Sequence, residues 1–354
     1  MSCEDRGHAA LSVIQWLREA MACQASDVHL TVESPPVLRV DGKLIRLGEE
    51  NLTPKDVEAA LAELASPATL KRFEECGDAD FSYSAAGFGR FRVNAYRQRG
   101  SVALAVRIIP PRVKTLAELG LPGAVAELAR RDSGLVIVTG PTGSGKSTTL
   151  AAMIDLINSE TASHIITLED PIEYLHHHRR SIVHQREVGT DVPTFIAGLR
   201  AALREDPDVI MIGELRDIDS METALRAAET GHLVLASMHT GDAVAAVDRI
   251  IDLFPPHQQQ QARVQLAACL QGVVAQQLLP LAARPGRVAA CEIMIATPAV
   301  RNLIRENKTH QLPSLIQTGA RYGMRQMEAS IKELLAAGLV APEDARSAGG
   351  GGGP

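Results

Sequence analysis

The sequence predicts an α/β protein in two parts: a small N-terminal α+β domain, then a larger domain built on a mostly parallel sheet. Three observations carry this prediction. Between turn signals, residues 25–40 and 80–109 alternate apolar and polar positions, as half-buried antiparallel strands do. Beyond Pro110-Pro111, the apolar runs Leu135-Val136-Ile137-Val138-Thr139, His164 to Leu168 and Val209 to Ile212 alternate with segments of helical period, the order of βαβ units. A length of 354 residues has room for both cores.

Leu11, Ile14, Leu17 and Met21 recur at helical spacing within 8–22, and Ala25 to Val40 reads as short strands punctuated by Pro35-Pro36 and followed by Asp41-Gly42. Thr53 as N-cap and Pro54 at the first helical position open another helix, with Val57, Leu61 and Leu64 on its buried side. Alternation returns from Asp80 to Ile109, where Phe91, Val93 and Ala95, then Val102, Leu104 and Val106, mark one face. Two consecutive prolines cannot continue a sheet ladder, so the expected boundaries are a domain at 1–110, a linker at 111–116 and a second domain at 117–337. Leu150, Met153, Ile154 and Ile157 lie on one face of a helix after the 135–139 strand, and Leu233 to Ser237 reads as a further strand. From Ala243 to about Ala337 the pattern reads as helical, and the run Gly349 to Gly353 suggests a disordered tail over 338–354.

Lysine and arginine number 36 against 42 acidic residues, a net charge of −6, which gives no reason to expect a nucleic-acid surface. Cys3, Cys23, Cys76, Cys269 and Cys291 contain no C-x-x-C pair, which argues against a zinc ribbon or a disulfide framework and fits a reducing cytoplasm. Cys269 and Cys291 read as packing residues. No apolar run of about 18 residues marks a membrane span, and no basic-then-apolar leader opens the chain.

The stretch Gly140-Pro141-Thr142-Gly143-Ser144-Gly145-Lys146-Ser147 fits the pattern G-x-x-x-x-G-K-[ST] at every fixed position, between a strand and a helix as that pattern requires. Residues 140–147 with Thr148 are therefore expected to bind a nucleoside triphosphate, ATP with Mg²⁺. Glycines let backbone N–H groups wrap the phosphates, Lys146 reaches the outer phosphates and the Ser147 hydroxyl ligates the metal. Two acidic strand ends, Glu169-Asp170-Pro171-Ile172-Glu173 and Gly213-Glu214-Leu215-Arg216-Asp217, supply carboxylates that can support the metal or orient the attacking water. Chemistry alone leaves the division of those duties among Glu169, Glu173 and Glu214 open. The triplet His176-His177-His178 has no converging ligand partner and reads as an exposed loop.

The combination resembles the secretion-superfamily ATPases that power type II secretion and type IV pili. Leu203 through Asp217 is similar to that family's Walker B signature, Glu169 to Glu173 to its aspartate box, and Thr230-Gly231-His232 through Met238-His239-Thr240 to its histidine box. Pro298-Ala299-Val300-Arg301-Asn302-Leu303-Ile304-Arg305-Glu306 resembles the C-terminal AIRNLIRE motif of the pilus-retraction branch, with Val300 in place of isoleucine. Extension-type relatives carry a tetracysteine zinc site that this chain lacks. The resemblance covers about residues 10–335 and implies a PAS-like N-terminal domain, a RecA-like P-loop ATPase domain and a homohexamer. The function implied is a motor driving pilus retraction through an inner-membrane platform protein, at the cytoplasmic face of that membrane.

For the site, the family implies Glu173 as catalytic base, Glu214 acting on Mg²⁺ through water, and His232 and His239 beside the phosphates. It also implies arginines presented by the N-terminal domain; among Arg90, Arg92, Arg97, Arg99 and Arg107, the matching segments point to Arg92 and Arg107. Arg301, Arg305 and Glu306 are expected to stay on a helix surface available for transmitting motion. Two other classes compete, a nucleic-acid translocase with a similar core and a nucleotide-binding regulator that does not turn over. Net acidity and few aromatics count against the first, and the full set of boxes against the second.

Overall fold

The computed structural model describes residues 12–40, 42–85, 88–109 and 112–349. Residues 8–11 of the expected first helix, the turn residue Asp41, the Pro110-Pro111 break and residues 350–354 lie outside the described residues. The chain divides into two compact units. One runs to Arg112 and includes Glu173–Leu175; the other comprises Val113–Ile172 and the chain from His176 onward.

In the first unit, α1 (Val13–Ala22) precedes β1 (Asp27–Leu30), β2 (Val37–Val40) and β3 (Lys43–Arg46). Then come α2 (Pro54–Leu64), α3 (Pro67–Cys76) and the long strands β4 (Asp78–Ala85), β5 (Gly89–Gln98) and β6 (Ser101–Ile109). The six strands form one antiparallel sheet in the order β3-β2-β1-β6-β5-β4. Alternation in the sequence becomes alternation in space: Phe91, Val93 and Ala95 point into a core shared with Trp16, Leu17 and Leu61. α2 starts where its cap predicts, since the Thr53 hydroxyl accepts from Asp56 N at 3.4 Å and the Asp56 carboxylate accepts from Thr53 N at 2.7 Å.

In the second unit, α4 (Gly123–Ala129), β7 (Gly134–Thr139), α5 (Lys146–Glu160), β8 (His164–Glu169), β9 (Ile182–Glu187) and α6 (Phe195–Ala202) come first. β10 (Val209–Ile212), α7 (Ile218–Glu229), β11 (Leu233–Met238), α8 (Ala243–Asp252) and α9 (Gln259–Cys269) follow. The unit ends with β12 (Leu270–Pro280), β13 (Arg287–Ile295), α10 (Pro298–Arg305), α11 (Leu312–Thr318), α12 (Met327–Ala336) and α13 (Pro342–Gly349). The sheet order is β13-β12-β7-β11-β10-β8-β9, parallel throughout except for the β12–β13 pair. β7, β10 and β11 are buried along their whole length, which is why they read as continuous apolar runs. Leu135, Ile137, Ile210, Ile212, Val234 and Ala236 pack on one face with residues of α7, α8 and α9. Val136 and Val138 alternate to the opposite face, and α5 also packs on β7 and β11. Leu150, Met153, Ile154 and Ile157 of α5 are all buried, as their spacing predicts.

Two expectations fail. The stretch from Ala243 is not helical throughout, because 270–295 forms the hairpin β12–β13; a short apolar run such as Val273-Val274-Ala275 fits a buried strand as well as a buried helix, and pairing to β7 decides it. The tail expected from 338 begins as structure: Val340 and Ala345 pack with Leu279, Ala290 and Ile331, and α13 runs to Gly349. The glycine run marks only the last residues, and those before it carry apolar side chains to bury. Cys76, Cys269 and Cys291 are free thiols, and Cys23 is disulfide-bonded. Burial pushes the Cys269 and Cys291 thiols up to about 12, which makes them inert packing groups at neutral pH.

Candidate nucleotide site

Parallel pairing brings the ends of β7, β10 and β11 to one edge of the sheet: Thr139 faces Met238 and Ile212 faces Ala236. The loop 140–145 leaves β7 there and turns into α5, the strand-to-helix placement that phosphate loops share. Gly145 caps α5 with φ +89°, a left-handed conformation that side chains other than glycine rarely adopt.

Lys146, the first residue of α5, is buried. Its ammonium donates to the carbonyls of Gly140 at 2.8 Å and Pro141 at 3.0 Å and stands 3.4 Å from His239 Nδ1. An ammonium has no lone pair, so in that contact Nδ1 accepts and the ring proton sits on Nε2. Nε2 lies 3.3 Å from one oxygen of Glu214, whose other oxygen accepts from Arg216 at 2.6 Å. Lys146, His239, Glu214 and Arg216 thus form one chain across the sheet edge. Burial works to raise the Glu214 carboxyl, but the Arg216 bond and charge, with the His239 bond, outweigh it and hold the group below its usual value. Its ordinary state at neutral pH is the carboxylate.

Hydroxyls hold these turns in place. Thr139 Oγ1 accepts from Thr240 N at 2.9 Å and bonds to Thr240 Oγ1 at 2.7 Å, fixing the turn that carries His239 to the end of β7. Ser237 donates to the Gly213 carbonyl and so ties β11 to the turn that carries Glu214. Glu169, buried at the end of β8, accepts from Thr167 Oγ1 at 2.7 Å and Gln185 Nε2 at 3.0 Å, the bonding of a structural carboxylate. Of the loop residues, Pro141, Thr142, Gly143 and Ser147 are exposed, whereas Ser144 is buried with a hydroxyl that has no partner among the described residues. Thr148 follows, half-buried.

The donor set suits Mg²⁺. An exposed Ser147 hydroxyl and an anionic Glu214 are hard oxygen ligands, and magnesium is ordinarily held by one or two such groups with phosphates and water completing the shell. Among the described residues no cluster of three His, Cys, Asp or Glu could hold a metal on its own.

Not every expected residue joins this group. His232 precedes β11 and His239 follows it, so six residues of strand, about 20 Å at 3.3 Å per residue, separate them. His232 therefore lies at the opposite sheet edge, where its Nδ1 meets the Ala227 carbonyl at 3.0 Å and Thr230 Oγ1 at 3.3 Å; the expectation that it stands beside the phosphates is corrected for this subunit. Two histidines in one box are neighbours in sequence, but a strand between them carries them apart. Glu173 is exposed and belongs with the first unit. Arg92 and Arg107 are also in the first unit, opposite one another on β5 and β6, where Arg92 pairs with Asp80 at 2.6 Å and Arg107 with Asp27 at 3.0 Å. The histidine triplet is only partly the exposed loop expected. His176 is largely buried, which pushes its ring down to about 4, and His178 Nδ1 accepts from Val183 N at 3.1 Å.

Sequence reasoning missed Thr139, Gln185 and Ser237 as organisers of the site. Thr139 ends a strand that runs into the loop, which is a signal; Gln185 carries none.

The profile of the family described as "Type II/IV secretion system protein" matches residues 4–345. This chain belongs to that family. Within it, the chain is 47% identical over 322 residues, 91% of its own length and 93% of the other's, to the type IV pilus retraction ATPase PilT of Pseudomonas aeruginosa. It is 42% identical over 337 residues, 95% and 90% of the two lengths, to a twitching motility protein of Neisseria gonorrhoeae. Among solved structures, the pilus retraction motor PilT with bound ADP superposes with a TM-score of 0.88 at 47% identity, covering 96% of this chain and 97% of that one. The ATPase DotB of Legionella pneumophila gives 0.81 at 25% identity, with 98% of each chain covered. An N-terminal domain followed by an α/β ATPase domain is thus the architecture of the family and of this chain.

Proposed function

We propose that this protein hydrolyses ATP as the motor of type IV pilus retraction, working as a homohexamer on the pilus platform protein at the cytoplasmic face of the inner membrane. The observation that carries the hydrolytic part is the chain Lys146, His239, Glu214 laid across the mouth of a complete phosphate loop. Relatives named for pilus retraction and twitching motility, at 47% and 42% identity, support the motor part over relatives of type II secretion at 37% and 32%.

In this reading the loop amides and the α5 N-terminus bind the phosphates, and Lys146 supplies positive charge to the outer ones. A bound Mg²⁺ would neutralise phosphate charge, held by Ser147 and, through water, by Glu214. His239, with its proton on Nε2, links Lys146 to Glu214 and holds both in register. Glu173 takes the proton of the attacking water, and Arg92 and Arg107 of a neighbouring subunit stabilise charge on the transferred group.

Phosphate release by the purified protein tests this. Lys146→Ala should abolish Mg²⁺-dependent hydrolysis, and undiminished turnover would sink the assignment. The motor part is tested by expressing the chain in a Pseudomonas aeruginosa strain lacking its 47% identical relative. Restored surface motility is expected with wild type and not with Lys146→Ala, and failure of a stably expressed wild type to restore it counts against a retraction role.

A further inference from the structure

We infer that Gln276 is a positioning residue for phosphate binding: from β12, outside every motif of the site, it sets the peptide between Ser144 and Gly145 in the orientation a phosphate requires. This rests on the reading that the loop binds nucleotide. Gln276 is buried, and both ends of its amide are engaged. Nε2 donates to the Ser144 carbonyl at 2.6 Å, and Oε1 accepts from Thr149 Oγ1 at 2.9 Å. The Ser144 carbonyl can only accept, so the nitrogen must face it; the orientation of the amide follows from chemistry.

A trans peptide is planar, with its C=O and N–H pointing opposite ways. Drawing the Ser144 carbonyl toward β12 therefore turns the Gly145 N–H away from the sheet and into the loop, where a phosphate oxygen would accept it. The Thr149 bond anchors the same amide to the first turns of α5, so loop and helix are held by one side chain. Close packing enforces the arrangement. A Cβ on Gly140 would fall 2.2 Å from the Gln276 carbonyl oxygen, and one on Gly145 would fall 3.1 Å from Nε2. Gly140 is thus required by β12 as well as by phosphate, and Gly145 is closely fitted to it.

The test is equilibrium binding of a fluorescent ADP analogue, with steady-state hydrolysis and thermal unfolding of the nucleotide-free protein measured alongside. Gln276→Met keeps the volume and removes both bonds. It should weaken binding by roughly ten-fold and raise KM more than it lowers kcat, while the buried Ser144 carbonyl and Thr149 hydroxyl left without this partner also lower the unfolding midpoint. Gln276→Glu supplies the sharper readout. A protonated carboxyl can donate to Ser144 and accept from Thr149 as the amide does, whereas the carboxylate can only accept. Binding by this variant should approach wild type at low pH and fall away as pH rises through the pKa of the introduced group, while wild type shows no such loss. A lowered unfolding midpoint with unchanged affinity in Gln276→Met, or a Gln276→Glu variant whose affinity tracks wild type at every pH, would overturn the inference. Absence of binding by wild type would overturn the nucleotide reading itself, and this inference with it.

Discussion

At the scale of single residues, the structure revises Arg301 most. Its guanidinium donates to the carbonyls of Ala296 at 2.9 Å, Ala267 at 2.7 Å and Ala268 at 2.5 Å, so it closes the C-terminus of α9 and is not a surface charge free to meet a partner. Removing it leaves carbonyls at a helix end without donors, which costs about 1–3 kcal/mol. Arg301→Ala should lower the midpoint of urea unfolding by an amount in that range, and any loss of motility must be read against that loss of stability. A variant as stable as wild type would refute the capping role. The helical period of the segment puts Val300, Leu303 and Ile304 on one face, and there Val300 and Ile304 are buried and Leu303 half-buried. It could not show what a long side chain reaches 33 or 34 positions away. The same limit hid Gln276, whose partners Thr149 and Ser144 are 127 and 132 positions distant. The phosphate loop was legible because eight consecutive residues contain the whole signal, glycines included.

At the scale of elements, the hairpin β12–β13 reads as helix in the sequence, yet its first strand reaches the phosphate loop through Gln276. Glu292 on β13 accepts from Ala243 N at 2.9 Å, at the first residue of α8. Burial raises the Glu292 carboxyl, opposed by the bond from Ala243 and reinforced by Asp242, so the folded protein holds a proton there more readily than the unfolded chain does. The sign follows. Stability from this group is full below its ordinary value of 4.5 and is lost as pH rises through the higher folded value. Glu292→Gln keeps an acceptor for Ala243 without the buried charge. The variant should match wild type in thermal unfolding near pH 4 and become the more stable of the two as pH rises. A difference that is constant with pH would remove Glu292 as its source. Strand alternation and helix caps were legible throughout the first unit because both signals are local; the strand nature of 270–295 was not, because it is fixed by pairing with β7, more than 130 positions earlier.

At the scale of the whole molecule, the second unit assembles Lys146, Glu214 and His239, while Glu173, Arg92 and Arg107 belong with the first. In the proposed ring, a complete catalytic set draws on arginines from a neighbouring subunit. Arg107→Ala and Lys146→Ala proteins should each be inactive, and mixing them should recover part of the phosphate release, from boundaries that join an intact Arg107 to an intact Lys146. No recovery, with subunit exchange demonstrated by mass spectrometry, would count against an arginine acting between subunits. The family was legible from four short boxes, each read locally, and the placement of His232 was not, because a box is a stretch of sequence and a site is a place. One more consequence follows from the hairpin. Gln276 grips the phosphate loop from β12, and Glu292, one step along the ladder on β13, grips the start of α8. Two ligands of one body, a nucleotide and a proton, are linked symmetrically: whatever nucleotide does to the proton affinity of Glu292, protonation does in equal measure to the affinity for nucleotide. The difference in that proton balance between wild type and Glu292→Gln is therefore a gauge of how rigidly the hairpin joins its two grips.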